Sequence, residues 1–181
     1  MGIRRLVTGH DANGKAVFAS DADVEPITLT HLPGTEFYRL WGADQPCRFP
    51  DDGSKPANPK YFPPLGGFRF GVFTLTPGTA PTPDEADMGT VIGELNDKLP
   101  GLSDSFDPDH PGMHTTATLD YEYIVSGRCL LELDDGVTRE LGPGDTVIQN
   151  GTRHASRNPF AEPCVIVVAL VGAQHDRVPH D

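Results

Sequence analysis

Hydrophobic positions in this chain come in short runs that mostly alternate with polar ones and stop at glycine or proline. Period-two alternation marks strands with one buried face, and breakers this close together leave room for little else. "LVTGHDANGKAVFAS" reads as a hairpin, with Asn13-Gly14 as the favoured two-residue turn pair. "TEFYRLWG" is a strand carrying the only tryptophan, Trp41. "FRFGVFTLTPG" alternates so that Phe68, Phe70, Val72 and Thr74 share a face. From Tyr121 onward, "YEYIVSGRCLLEL", "VTRELGPGDTVIQ" and "CVIVVALVGA" are further strands, with turn signals at Asp135-Gly136 and Gly142-Pro143-Gly144. Tyr38, Trp41, Phe68, Phe70 and Phe73 are the expected core, some of them lining a cavity.

One segment has a helical period. In "TPDEADMGTVIGELNDKLPG", Thr82 can cap, Pro83 suits a first turn, and Asp84, Glu85 and Asp87 supply acids there. Met88, Val91, Ile92 and Leu95 follow at helical spacing, and Pro100-Gly101 ends the run. A helix is therefore predicted over about 84–99, serving as a lid, a dimer contact, or a surface helix packed by Val91, Ile92 and Leu95. "CRFPDDGSKPANPKYFPPLGG" and "LSDSFDPDHPG" read as loops. The expected whole is a single all-β domain over 1–181. It divides into N-terminal strands and loop (1–66), a barrel with the helical insertion (67–173) and a frayed tail (174–181).

Composition narrows the classes. The chain has 181 residues, and its 14 Lys and Arg face 26 Asp and Glu, for a formal charge of −12. That field repels phosphate backbones and anionic membranes. No helix-turn-helix signal is present, so nucleic acid is not an expected partner. No apolar stretch is long enough to cross a membrane, and "MGIRRLVTGHD" lacks the apolar run of a signal peptide. Cys47, Cys129 and Cys164 are odd in number and form no CxxC pair. Cys129 and Cys164 sit in apolar runs and read as small buried hydrophobes, which fits a reducing, cytoplasmic location.

The chemistry concentrates in two stretches. In "GMHTTATLDYEYIVSG", Gly112 to Gly127, His114 precedes a strand on which Asp120, Glu122 and Ile124 share a face. In "GPGDTVIQNGTRHASRN", Gly142 to Asn158, His154 follows a second strand. If the strands roll into a barrel, His114, Asp120 and His154 converge, and two imidazoles with one carboxylate suit a transition metal with open positions. The other reading is a polar interior with His114 bonded to Asp120 and no metal. Thr116 either bonds a water or substrate or is a plain strand residue. Glu122 is a fourth ligand, a general base, or a solvent-facing residue past the barrel mouth. Arg157 could hold a substrate carboxylate, or pair with surface acids as Arg153 could. Trp41 and Phe70 are candidate substrate-binding walls. His110 could fold over the mouth or belong to a plain loop.

These two stretches resemble the two cupin motifs. His114 stands at the first histidine place, Thr116 at the second, Asp120 at the glutamate place, and Gly127 closes the motif. Gly144-Asp145 opens the second motif, His154 is its histidine and Asn158 ends it, with Gln149 where proline is usual. The pattern is similar to a subgroup of small cupins from bacteria and from fungal secondary-metabolite clusters. The resemblance implies a double-stranded β-helix (jelly-roll) barrel with an N-terminal hairpin extension, and a homodimer paired through it. It also implies one divalent metal (Fe, Zn, Mn or Ni) on His114, Asp120 and His154, with Glu122 and Thr116 as catalytic residues. The expected activity is lyase or isomerase chemistry on a small cyclic or oxygenated metabolite: dehydration, decarboxylation or isomerisation. The alternatives are an Fe(II) dioxygenase at the same site and a metal-free ligand-binding barrel.

Overall fold

The computed structural model describes residues 2–78 and 88–178. Eleven strands occur among them: β1 (Ile3–His10), β2 (Ala16–Val24), β3 (Ile27–Leu29), β4 (Leu32–Ala43), β5 (Phe68–Leu75), β6 (Thr118–Ser126), β7 (Cys129–Glu132), β8 (Thr138–Leu141), β9 (Thr146–Asn150), β10 (Ala155–Arg157) and β11 (Cys164–Gly172). The α-helix α1 spans Met88–Lys98. The opening turn expected at 84–87 lies outside the described residues.

The strands form a six-stranded sheet, β3-β4-β5-β11-β6-β9, a three-stranded sheet, β10-β7-β8, and a separate hairpin, β1-β2. The larger and smaller sheets face each other. At one end Ile124, Cys129, Cys164 and Ile166, all fully buried, pack with Phe73, Leu75 and Leu141 between them. The chain changes sheet at Gly127, whose φ is +71° and where an added Cβ would lie 2.8 Å from Cys164 Cα. Only glycine permits both the left-handed backbone and that approach.

The hairpin covers the outer face of the larger sheet, where Tyr38, Leu40 and Val72 are buried against Ile3 and Val24. Its turn is wider than a two-residue one: the Asp11 carboxylate accepts from the backbone N–H groups of Asn13 and Lys15. The Asp11 side chain thus replaces the tight turn that Asn13-Gly14 alone suggests. Helix α1 buries Val91 and Leu95 with Leu99, Leu102 and Leu29, and Phe37, Tyr61 and Phe62 pack against this cluster. Met88 and Ile92, expected in the same stripe, are exposed. Glu94 ties the helix down by accepting from the Thr30 N–H and hydroxyl.

Alternation on β5 is as read, and both its faces are partly covered: Val72 is buried under the hairpin, but Phe70 on the same side is open. Phe70 is 42% exposed, whereas Arg69 is 6% exposed. The interior face belongs to Arg69, Gly71, Phe73 and Leu75, because these pair with Leu170, Val168, Ile166 and Cys164 of β11. Phe70 therefore leaves the expected core.

Candidate functional site

Interior side chains come from both sheets. On β6 the alternation puts Asp120, Glu122 and Ile124 inward and leaves Tyr121, Tyr123 and Val125 exposed. Asp120 lies opposite Leu170 on one side and Gln149 on the other; Glu122 lies opposite Val168 and Val147. The solvent-facing alternative for Glu122 is thus not the geometry found.

Asp120 is 4% exposed, and its Oδ1 has no hydrogen-bond partner. Leaving a buried acceptor unmatched costs about 1–3 kcal/mol, more if charged. Burial pushes the Asp120 carboxyl up to about 6, opposed by the Thr118 hydroxyl beside it. Burial, then the neighbouring Asp120 charge, pushes Glu122 up to about 7. Two carboxyls that cannot both ionise freely in a dry interior share their protons near neutrality. Thr116 is buried, and its hydroxyl lies 2.8 Å from that of Thr118. It therefore reaches the carboxyl through Thr118. Tyr61, on the loop between β4 and β5, responds to the same charges: burial, with Asp120 and Glu122, holds its phenol well above the usual range. It stays a protonated donor.

The histidines form a second group, at the edge of the smaller sheet. His114 and His154 face each other in an antiparallel bridge, exchanging backbone bonds of 2.9 and 3.0 Å. Their rings are 4.2 Å apart between centroids. His114 Nδ1 lies 3.1 Å from the Gly112 carbonyl and His154 Nδ1 2.8 Å from the Thr152 carbonyl. A carbonyl only accepts, so each Nδ1 carries the proton and each Nε2 keeps a lone pair. Burial, then His114 itself, lowers His154 to about 4; burial also lowers His114. Both rings are neutral.

Neutral imidazoles with free Nε2 atoms and a carboxylate with an unmatched oxygen are suitable metal ligands one by one. They are not brought together as three: among the described residues no group of three His, Cys, Asp or Glu side chains is placed to hold a metal ion. Asp120 feels Thr118, Glu122 feels Asp120, and His154 feels His114. Asp120 stands on β6, whereas His114 and His154 meet in a bridge outside the strands. The iron-dioxygenase reading rests on the same three ligands.

The remaining expected residues lie elsewhere. Arg157 donates to Glu132 at 2.7 Å and to the Pro111 carbonyl at 2.7 Å. Arg153 binds Asp107 and Asp134, and His110 also meets Asp107. His110, Glu132, Asp134, Arg153 and Arg157, with Asp109 and Asp135, line an open polar basin beside the smaller sheet. Trp41 pairs with Phe70, and their register turns both rings to the outer face. There Arg5 stacks over Trp41 at 5.7 Å.

A small cavity of about 20 Å³ lies at the larger sheet, lined by Phe37, Arg39, Tyr61, Arg69, Val168 and Leu170 and also by Trp41 and Phe70, the two walls expected from the sequence. Val168 and Leu170 are the strand partners of Glu122 and Asp120, so the cavity adjoins the acid pair. Sequence reading missed Tyr61, which sat in a segment classed only as loop. It also missed the inward arginines, whose signal was available in the parity of "FYR" and "FRF".

Two facing sheets with this motif order define a small cupin. No family profile matches the chain. It is 44% identical over 155 residues to phomopsin biosynthesis cluster protein C' of Diaporthe leptostromiformis, covering 85% of this chain and 69% of that protein. It is 31% identical over 104 residues to oryzines biosynthesis cluster protein J of Aspergillus oryzae, covering 52% of this chain and 58% of that one. The match thus spans less than two thirds of the Aspergillus protein's own length. A cupin 2 conserved barrel domain protein from Salinispora arenicola is similar with a TM-score of 0.42 and 16% identity, over 85% of this chain and 92% of that one. The chain belongs to the family of phomopsin biosynthesis cluster protein C'.

Proposed function

We propose that this protein is an enzyme of secondary metabolism that moves a proton on a small oxygenated organic molecule. The Asp120–Glu122 pair is its acid and base. The observation that carries the reading is two carboxyl groups on one interior face, one with an unmatched buried oxygen, both held near neutrality. A general base works best when its pKa lies near the working pH.

Asp120, the lower of the pair and the first to ionise, takes a proton from the carbon next to a carbonyl. The C–H bond breaks, an O–H bond forms on Asp120, and the electron pair moves to the carbonyl oxygen as an enolate. The protonated phenol of Tyr61 is available to stabilise that oxygen. Protonated Glu122 then delivers its proton. Given to a leaving β-hydroxyl, the step releases water and is a dehydration; given to another carbon, it is an isomerisation.

The test is solvent deuterium uptake by a panel of enolisable carbonyl compounds, followed by NMR. Uptake by the parent protein, with pH inflections near 6 and 7, and its loss in Glu122→Gln and Asp120→Asn, is the expected result. Uptake that survives both substitutions removes the pair from the chemistry.

A further inference from the structure

The larger sheet aligns four residues in one cross-strand row on its interior face: Arg39 opposite Gly71, Gly71 opposite Val168, and Val168 opposite Glu122. Three interstrand steps separate the ends, roughly 14 Å of backbone spacing. Between them stand a glycine, which has no side chain, and a valine. The floor between the guanidinium and the carboxyl is therefore low. Phe37, Tyr61 and Leu170 wall the same space.

The two inward arginines differ. Arg69 is matched by an ion pair with Asp44 at 2.5 Å and by the carbonyls of Ala43, Phe68, Lys60 and Phe62. Arg39 is held only by neutral oxygens, from Asn58, Pro59 and Lys60, and has no carboxylate partner among the described residues. A half-buried cation without a bonded counterion, in a chain of charge −12, is unusual. One carboxylate, Asp44, acts on it through space but is bonded to Arg69. Burial and the nearby Arg69 disfavour the Arg39 charge by more than Tyr61 and Asp44 favour it, and a bound anion would offset both.

The geometry points to Arg39 as the specificity-determining residue of the site, binding the carboxylate of a small organic acid whose reacting carbon lies over Val168 toward Glu122. The inference rests on the acid–base reading and names its substrate class. A guanidinium fork fits a carboxylate by two parallel bonds. The cavity of about 20 Å³ has room for about one water. A bound acid therefore requires this cavity to widen.

The experiment compares five small acids with their neutral methyl esters: pyruvate, phenylpyruvate, oxaloacetate, succinate and 4-hydroxybenzoate. Binding to the intact protein is read by ligand-observed NMR. At least one acid is expected to bind about tenfold or more tightly than its ester, as a charge-assisted bond implies. Arg39→Gln is expected to erase that ratio, and Arg39→Lys to keep part of it. If Arg39 only props the 58–60 loop, both variants lose stability alike while the acid-to-ester ratio stays put, and that overturns the inference. No preference for any acid in the parent also overturns it. Deuterium uptake by the neutral esters that still depends on Glu122 shows the acid–base reading standing while the Arg39 assignment fails. Acid-selective binding without any uptake shows the reverse.

Discussion

The histidine pair and the carboxyl pair are both buried, polar and inward-facing, yet they are built in opposite ways. Each histidine satisfies one nitrogen on a backbone carbonyl and is held neutral with a lone pair to spare. The carboxyls differ: Asp120 Oδ1 has no donor, and Glu122 stands on the same face of β6, between Val168 and Val147 in register. One region is a settled pair of acceptors. The other is a strained pair of acids whose protonation stays poised. His114 and Asp120 are six residues apart in sequence, but His114 sits in a bridge outside the strands while Asp120 is on β6. Nearness along the chain is therefore a poor guide to which groups act together.

The largest effect expected is chemical. Glu122→Gln should cost on the order of 100-fold or more in deuterium uptake, while His154→Gln should cost far less. Equal losses would merge the two regions into one centre.

Next comes pH. The carboxyls are raised in the folded state, so their stabilisation is full below pH 4 and is lost as pH rises through about 6 and 7. His154 is lowered to about 4, so its stabilisation is full above its unfolded value and is lost as pH falls toward 4. The two trends oppose each other in the same window. Chemical denaturation should therefore show His154→Gln losing stability from pH 4 to 7. The double variant Asp120→Asn, Glu122→Gln should gain it, each by on the order of 2 kcal/mol.

A chelator provides a third test. Uptake should persist after metal removal. Uptake that disappears and returns with added iron, zinc, manganese or nickel would show that His114, Asp120 and His154 close into one site in solution.

The smallest effect belongs to Arg157→Ala. Its ion pair with Glu132 is partly exposed and is worth about 0.5–1 kcal/mol in thermal denaturation. Uptake should not change.

What could be read from residue order was local. The shared face of Asp120, Glu122 and Ile124 follows from strand parity alone, and Val91 and Leu95 follow from helical spacing. Motif order carried the cupin assignment. What could not be read was long-range pairing. The burial of Arg69 over Phe70 depends on which strand lies beside β5 and on which face the hairpin covers. Arg157 pairs with an acid, as one of its two readings had it, but its partner Glu132 lies 25 positions away and could not be named from the sequence.

Gly127 extends this to the size of the reaction chamber. It sits where the chain passes from one sheet to the other, with the start of β11 pressed against its bare Cα. The separation of the sheets is therefore gauged at the end away from the Arg39 cavity, by a residue that never meets a substrate. Any larger side chain there would wedge the closed seam. The spacing of the two sheets would then change before a single lining residue had.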